Sequence, residues 1–155
     1  MKQKHLITVI VCLALFFTCN NCRGQIPSTL AIKNEIEKTN TLYFKLFEKN
    51  DGSIVNLYTE DACLLAPNTA PIAGREALKK DFEDTFAAGK VKGVKFQTSN
   101  IYGDGKEYII EEGSWQVFDL SEKLLDDGKY LKVWKRTKAG WKIFRDSFNS
   151  NHKAQ

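Results

Sequence analysis

Ten residues of this chain set polar groups among aromatic rings and could do chemistry: Tyr43, Asn68, Glu111, Glu112, Lys132, Arg145, Asp146 and Asn149, beside Trp115 and Trp134. Grouped in a cavity between helices and a curved sheet, they would make a natural small-molecule site. Each also has a plain structural use. Tyr43 can bury its ring and satisfy its hydroxyl, Trp115 and Trp134 can be core, and a Glu111 to Arg145 pair can be a compensated buried charge.

Other chemistries lack their residues. Beyond the N-terminal segment discussed below the chain keeps one histidine, His152, and one cysteine, Cys63, too few for a clustered zinc site, and no metal or cofactor is expected. No Gly-x-Ser-x-Gly elbow, phosphate loop or dinucleotide fingerprint occurs. Cys63 lies in an apolar stretch and reads as a buried structural thiol.

The elements that must position these residues are legible in the spacing. Ile32, Ile36, Tyr43 and Phe47, flanked by Leu42 and Leu46, recur at three- and four-residue steps and predict one amphipathic helix over 28–49. Pro27 and Ser28 suit its start, and Asn50-Asp51-Gly52 its stop. A short second helix over 53–58, a strand over 62–66 and a third helix over 74–88 follow. After Gly89 four strand-like runs, at about 91–102, 107–119, 128–137 and 141–149, are separated by Gly103-Asp104-Gly105, Asp126-Asp127-Gly128 and Lys138-Ala139-Gly140. Gly113, after two glutamates, reads as a bulge. Helices first and a meander afterwards predict an α+β domain, with helices covering one face of a mostly antiparallel sheet.

Strict alternation over 141–149 puts Trp141, Ile143, Arg145, Ser147 and Asn149 on one face, and Lys142, Phe144, Asp146 and Phe148 on the other. Large apolar groups fall on both sides. The second face is therefore expected to be covered by another copy of the chain, giving a homodimer through the sheet.

At 155 residues with 43% apolar content the chain makes one domain. Lys2 and Lys4, the apolar run from Leu6 to Thr18, and the polar stretch ending Cys22-Arg23-Gly24 have the layout of a secretory signal over 1–24. The run is too short to span a bilayer. Export to the periplasm or beyond is expected for a mature domain over 25–155. A lipid anchor on Cys19 or Cys22 is the less favoured alternative, because the preceding residues fit that processing poorly. Losing Lys2, Lys4 and Arg23, and no acid, lowers the formal charge from +4 to +1. That near-balance excludes a nucleic-acid partner, whose backbone demands a concentrated basic face.

The order of elements, with "LYTEDACLLAPNTAPIAGREAL" in the first half and "GKYLKVWKRTKAGWKIFRDSFNS" at the end, resembles the nuclear transport factor two-like superfamily, nearest its SnoaL-like, ketosteroid isomerase-like branch. The likeness covers 28–150 and rests most on "LYTEDA", "PIAGREAL" and the final "WKIFRD". It implies a cystatin-like cone, three N-terminal helices on a curved sheet, a pocket at the open end and dimerisation through the sheet.

By the same resemblance Tyr43, eight residues before Asp51, matches the family's donor to a developing enolate oxygen. The proton-abstracting aspartate, five residues after Asp61-Ala62, is replaced by Ala66. Asn68 is close but neither acidic nor basic, and the second acidic donor falls near Lys132. Losing a positioned base costs ~10²-fold or more, so the isomerase route is not expected. The matching turns Trp134, Arg145 and Asn149 towards the pocket, with Glu111 and Trp115 entering from the neighbouring strand. Such a cup suits a small amphiphile bearing a carboxylate or carbonyl. Binding leads the expectations. The alternatives are a cofactor-independent isomerase, cyclase or hydrolase with Glu111 as base and Tyr43 or Arg145 as electrophile, or a dimerisation module.

Overall fold

The computed structural model describes residues 28–153; the expected leader, with Cys19 and Cys22, lies outside them. Helix α1 (Thr29–Glu48) starts where Ser28 caps it, its Oγ accepting from the Ala31 amide at 3.2 Å. Its buried stripe is Ile32, Ile36, Asn40, Tyr43 and Phe47. Asn50 turns the chain at φ 52°, and Asp51 then caps a 3₁₀ turn, η1 (Gly52–Leu57), by accepting from the Ser53 amide. Strand β1 (Tyr58–Leu65), the short β2 (Ile72–Ala73) and helix α2 (Arg75–Ala88) follow. Gly89 closes α2 in the left-handed conformation at φ 60°, which glycine adopts without strain. The meander is β3 (Gly93–Tyr102), β4 (Tyr108–Phe118), β5 (Leu124–Thr137) and β6 (Gly140–Ser150).

The six strands form one sheet in the order β2-β1-β6-β5-β4-β3, antiparallel throughout except for the parallel β1–β6 pair. Helix α1 packs chiefly on β3 and α2 on β1, so both helices cover one face of the sheet. Between them lies the core of Ile32, Ile36, Phe47, Ile54, Leu78, Phe82, Ile109, Trp134, Trp141 and Ile143. Each such side chain contributes about 1.5–3 kcal/mol by leaving water. No helix of the described residues is long and apolar enough to cross a membrane.

Three local expectations are corrected. Asp126-Asp127-Gly128 is not a turn but part of β5; the reversal lies at Asp119–Lys123, where the Asp119 carboxylate accepts from the Ser121 and Lys123 amides. Gly113 lies in regular pairing, and the irregularity sits in the partner strand, where Thr98 faces Gly113 but Asn100 faces Glu112. In β6, Ile143 faces Trp134 while Arg145 faces Val133, leaving Phe144 as an extra residue. This bulge reverses the alternation beyond it. Trp141 and Ile143 point inward, and after the bulge so do Asp146 and Phe148, whereas Ser147 and Asn149 are exposed.

Candidate functional site

The helices and the sheet enclose a cavity of about 270 Å³. Its walls are largely aromatic: Tyr43 and Phe47 from α1, Tyr58 from β1, Phe82 from α2, Phe96 from β3, Trp115 from β4 and Phe148 from β6. The rings are mutually oriented, Tyr43 meeting Phe96 edge-on at 5.2 Å and Phe82 at 6.1 Å between centroids. Two glycines make room, one for this lining and one for Tyr130 behind it. A Cβ on Gly128 would stand 2.7 Å from the Trp115 ring, and one on Gly113 would stand 2.7 Å from the Tyr130 hydroxyl.

One carboxyl reaches the cavity from the sheet. Asp146, only 4% exposed, accepts from the Tyr58 hydroxyl at 3.3 Å, and the Tyr43 hydroxyl lies beside that of Tyr58. Burial pushes Asp146 above the ordinary carboxylate range, opposed by Lys132 and the Tyr58 hydroxyl. Burial and the Asp146 charge also keep both tyrosines protonated far above neutral pH, so they are hydrogen-bond donors. Asp81 of α2 lines the cavity nearer solvent, raised by burial and by Asp84.

Behind this lining sits a second polar cluster. Glu111 is fully buried, and four neutral donors converge on it: Thr98 Oγ1 at 2.6 Å, Asn40 Nδ2 and Tyr130 Oη at 2.7 Å each, and Trp134 Nε1 at 2.9 Å. Lys132, also fully buried, has its ammonium 3.5 Å from Asn40 Oδ1 and 3.1 Å from the Phe96 ring centroid. Burial drives its pKa down, opposed by Asp146 and Glu111.

The ten residues singled out by type therefore separate. Tyr43 and Trp115 line the cavity. Glu111 and Trp134 are joined to each other behind it, and Glu111 has no pairing with Arg145. Arg145 is turned away by the β6 bulge; its guanidinium stacks on Phe144 at 3.7 Å and donates to the Asp61 and Phe144 carbonyls. Asn68 and Asn149 line a separate, open hollow of about 720 Å³ with Asp126 and His152. Asp146 enters the cavity from the face opposite to that given by strict alternation. Tyr58 and the rings of Phe82, Phe96 and Phe148 escape a reading by residue type, because apolar spacing marks them as core and nothing in their order sets cavity wall apart from filled interior.

Ala66, the position that the resemblance gives to the isomerase-type base, lies just past the end of β1, whose residues lining the cavity are Tyr58 and Leu64. Cys63 is half-buried rather than buried. Among the described residues one potential metal-ligating group gathers, Asp126, Asp127 and His152, with ligand atoms within 4.8 Å of one another. It is at the surface, and its atoms already bond to each other and to Ser150 and Asn151.

Neither a family profile nor a curated relative matches this sequence. Solved structures do. A domain of unknown function with a cystatin-like fold from Nostoc punctiforme superposes with a TM-score of 0.68 at 13% identity, covering 81% of each chain. A nuclear transport factor 2-like protein with a cystatin-like fold from Novosphingobium aromaticivorans gives 0.65 at 17% identity, over 96% of this chain and 92% of the other. A ketosteroid isomerase-like protein from Erwinia carotovora atroseptica gives 0.60 at 12% identity, over 77% and 96%. The chain has the cystatin-like, nuclear transport factor 2-like α+β fold, as its sequence leads one to expect.

Proposed function

We propose that this protein is an exported small-molecule-binding domain whose ligand occupies the cavity between α1, α2 and the sheet. The observation that carries the reading is a cavity of about 270 Å³ walled by seven aromatic rings, into which few polar groups converge: the Tyr43 and Tyr58 hydroxyls and the Asp146 and Asp81 carboxyls. Interior surface of that kind costs stability if left unfilled, and it serves a ligand with an apolar body. Glu111, bonded by four donors behind the cavity lining, is not placed as a proton acceptor for a ligand.

A second reading, cofactor-independent acid–base catalysis, is favoured by one observation. Asp146 is a buried carboxyl at the cavity wall with its pKa raised, next to two hydroxyl donors. A base there would take a proton while Tyr43 or Tyr58 donates to the oxygen on which charge develops.

The test is a cavity-filling variant. Thr85 lines the cavity from α2, and Thr85→Trp places an indole in that space. Wild-type protein should show saturable binding of a small apolar probe such as indole by calorimetry, and Thr85→Trp should not. Equal binding by both would refute the cavity as the site.

A further inference from the structure

Resting on the cavity as the ligand site, we infer that its ligand is an organic cation, an ammonium group carried on an apolar body, and not the carboxylate-bearing amphiphile that the sequence suggests. The carboxylate expectation relied on Arg145, and that guanidinium lies on the other side of the sheet. Among the described residues no lysine, arginine or histidine lines the cavity; the charged residues that do are Asp81 and Asp146.

The charges behind the lining do not reverse this balance. Lys132 is the cation within electrostatic reach of Asp146, and it is shared with Glu111. Around the cavity three carboxyls, Asp81, Glu111 and Asp146, thus face one ammonium. A ligand anion would add to the excess negative charge at low dielectric, whereas a ligand cation offsets it.

The walls favour the same charge. Aromatic faces attract cations through the ring quadrupole, and methylated ammonium groups lose little hydration on entering an aromatic cage. The chain already uses this interaction in the same wall: the Lys132 ammonium stands 3.1 Å from the centroid of Phe96, 4.8 Å from that of Tyr130 and 5.6 Å from that of Tyr43. Phe96 and Tyr43 also line the cavity, beside Asp146 and Phe82. The Tyr43 hydroxyl lies within the field of both Asp146 and Asp81. A cation bound beside Tyr43 would therefore be attracted by both carboxylates and by the rings.

The experiment compares three probes of one shape class on the full chain at neutral pH: benzyltrimethylammonium, its neutral isostere neopentylbenzene, and phenylacetate. Followed by NMR titration, the cation should bind about tenfold or more tighter than the isostere, and phenylacetate weakest. Asp81→Asn and Asp146→Asn should each lower affinity for the cation and leave that for the isostere unchanged. Binding of the isostere as tight as that of the cation, tightest binding by phenylacetate, or loss of both probes alike in the two variants would overturn the cation assignment while leaving the cavity as a binding site. Failure of all three probes to bind would overturn both.

Discussion

Lys132 and Asp146 stand directly opposite each other on β5 and β6, both on the inner face and both buried. Burial pushes their pKa values in opposite directions, the ammonium down and the carboxyl up, while each opposes the shift of the other. Neither charge has water to replace its partner. Lys132→Met should therefore destabilise the fold by about 3–5 kcal/mol, because it leaves buried carboxylates without their cation. Lys132→Met combined with Asp146→Leu should recover much of that loss. Urea denaturation of the two single variants and the double variant gives the coupling; strict additivity would contradict an interaction across the ladder.

Asp146 also sets a pH dependence with a definite sign. Its carboxyl is raised in the folded chain, so the native state holds the proton more tightly than the unfolded chain does. Its contribution to stability is present in acid and declines as pH rises from the ordinary carboxylate range through the raised value. The groups that face it are Lys132, Tyr58, Tyr43 and Glu111. Asp146→Asn, which keeps the shape of the protonated acid, should gain stability relative to wild type as pH rises from about 3.5 to 7. Melting curves across that range would show the gap opening; a gap that opens towards acid would contradict the shift.

Glu111 should behave in the opposite way to Asp146 in binding. A glutamine at 111 places an amide N–H among four groups that donate to the present carboxylate. Mismatched buried donors cost about 1–3 kcal/mol, and Glu111→Gln should lower stability by that order. Affinity for the neutral isostere should hold, because Glu111 does not line the cavity. Unchanged stability with abolished binding would assign Glu111 a direct part in the site.

The outer face of the sheet carries Leu131 at 53%, Tyr102 at 49% and Ile110 at 43% exposure, and the register joins Tyr102 to Ile110 and Leu131 to Ser147 on adjacent strands. Large apolar groups side by side on an open sheet face are expected to be covered by a second copy. Sedimentation should give a dimer for wild type and a monomer for Leu131→Glu, with unchanged probe binding per chain. A monomeric wild type would leave this face without its proposed partner.

Much of the fold was legible because local rules agreed with packing. The α1 stripe, the Ser28 cap, the strands after Gly89 and the helix-then-meander order all follow from spacing and end chemistry. The site was legible in part. Tyr43 falls on the apolar stripe of its own helix, and Trp115 was placed by the family resemblance. Arg145, Asn149 and Asp146 were misplaced together, because one unpaired residue in β6, Phe144, reverses the alternation and no turn or glycine marks it. The Glu111 cluster draws Asn40, Thr98 and Tyr130 from three elements far apart in sequence, and only the folded register brings them within 3 Å of one carboxylate. Asp126-Asp127-Gly128 looks like a turn by composition, but Gly128 is needed where the Trp115 ring crosses β5.

The most direct measurement uses the three tryptophans, each with one indole N–H resonance. Trp115 lines the cavity, Trp134 donates its indole N–H to Glu111 behind it, and Trp141 packs beside Arg136. In a titration with benzyltrimethylammonium the Trp115 resonance should move saturably while those of Trp134 and Trp141 stay in place. A titration that leaves Trp115 fixed, or moves Trp141 instead, would contradict a ligand seated between Tyr43 and Asp146.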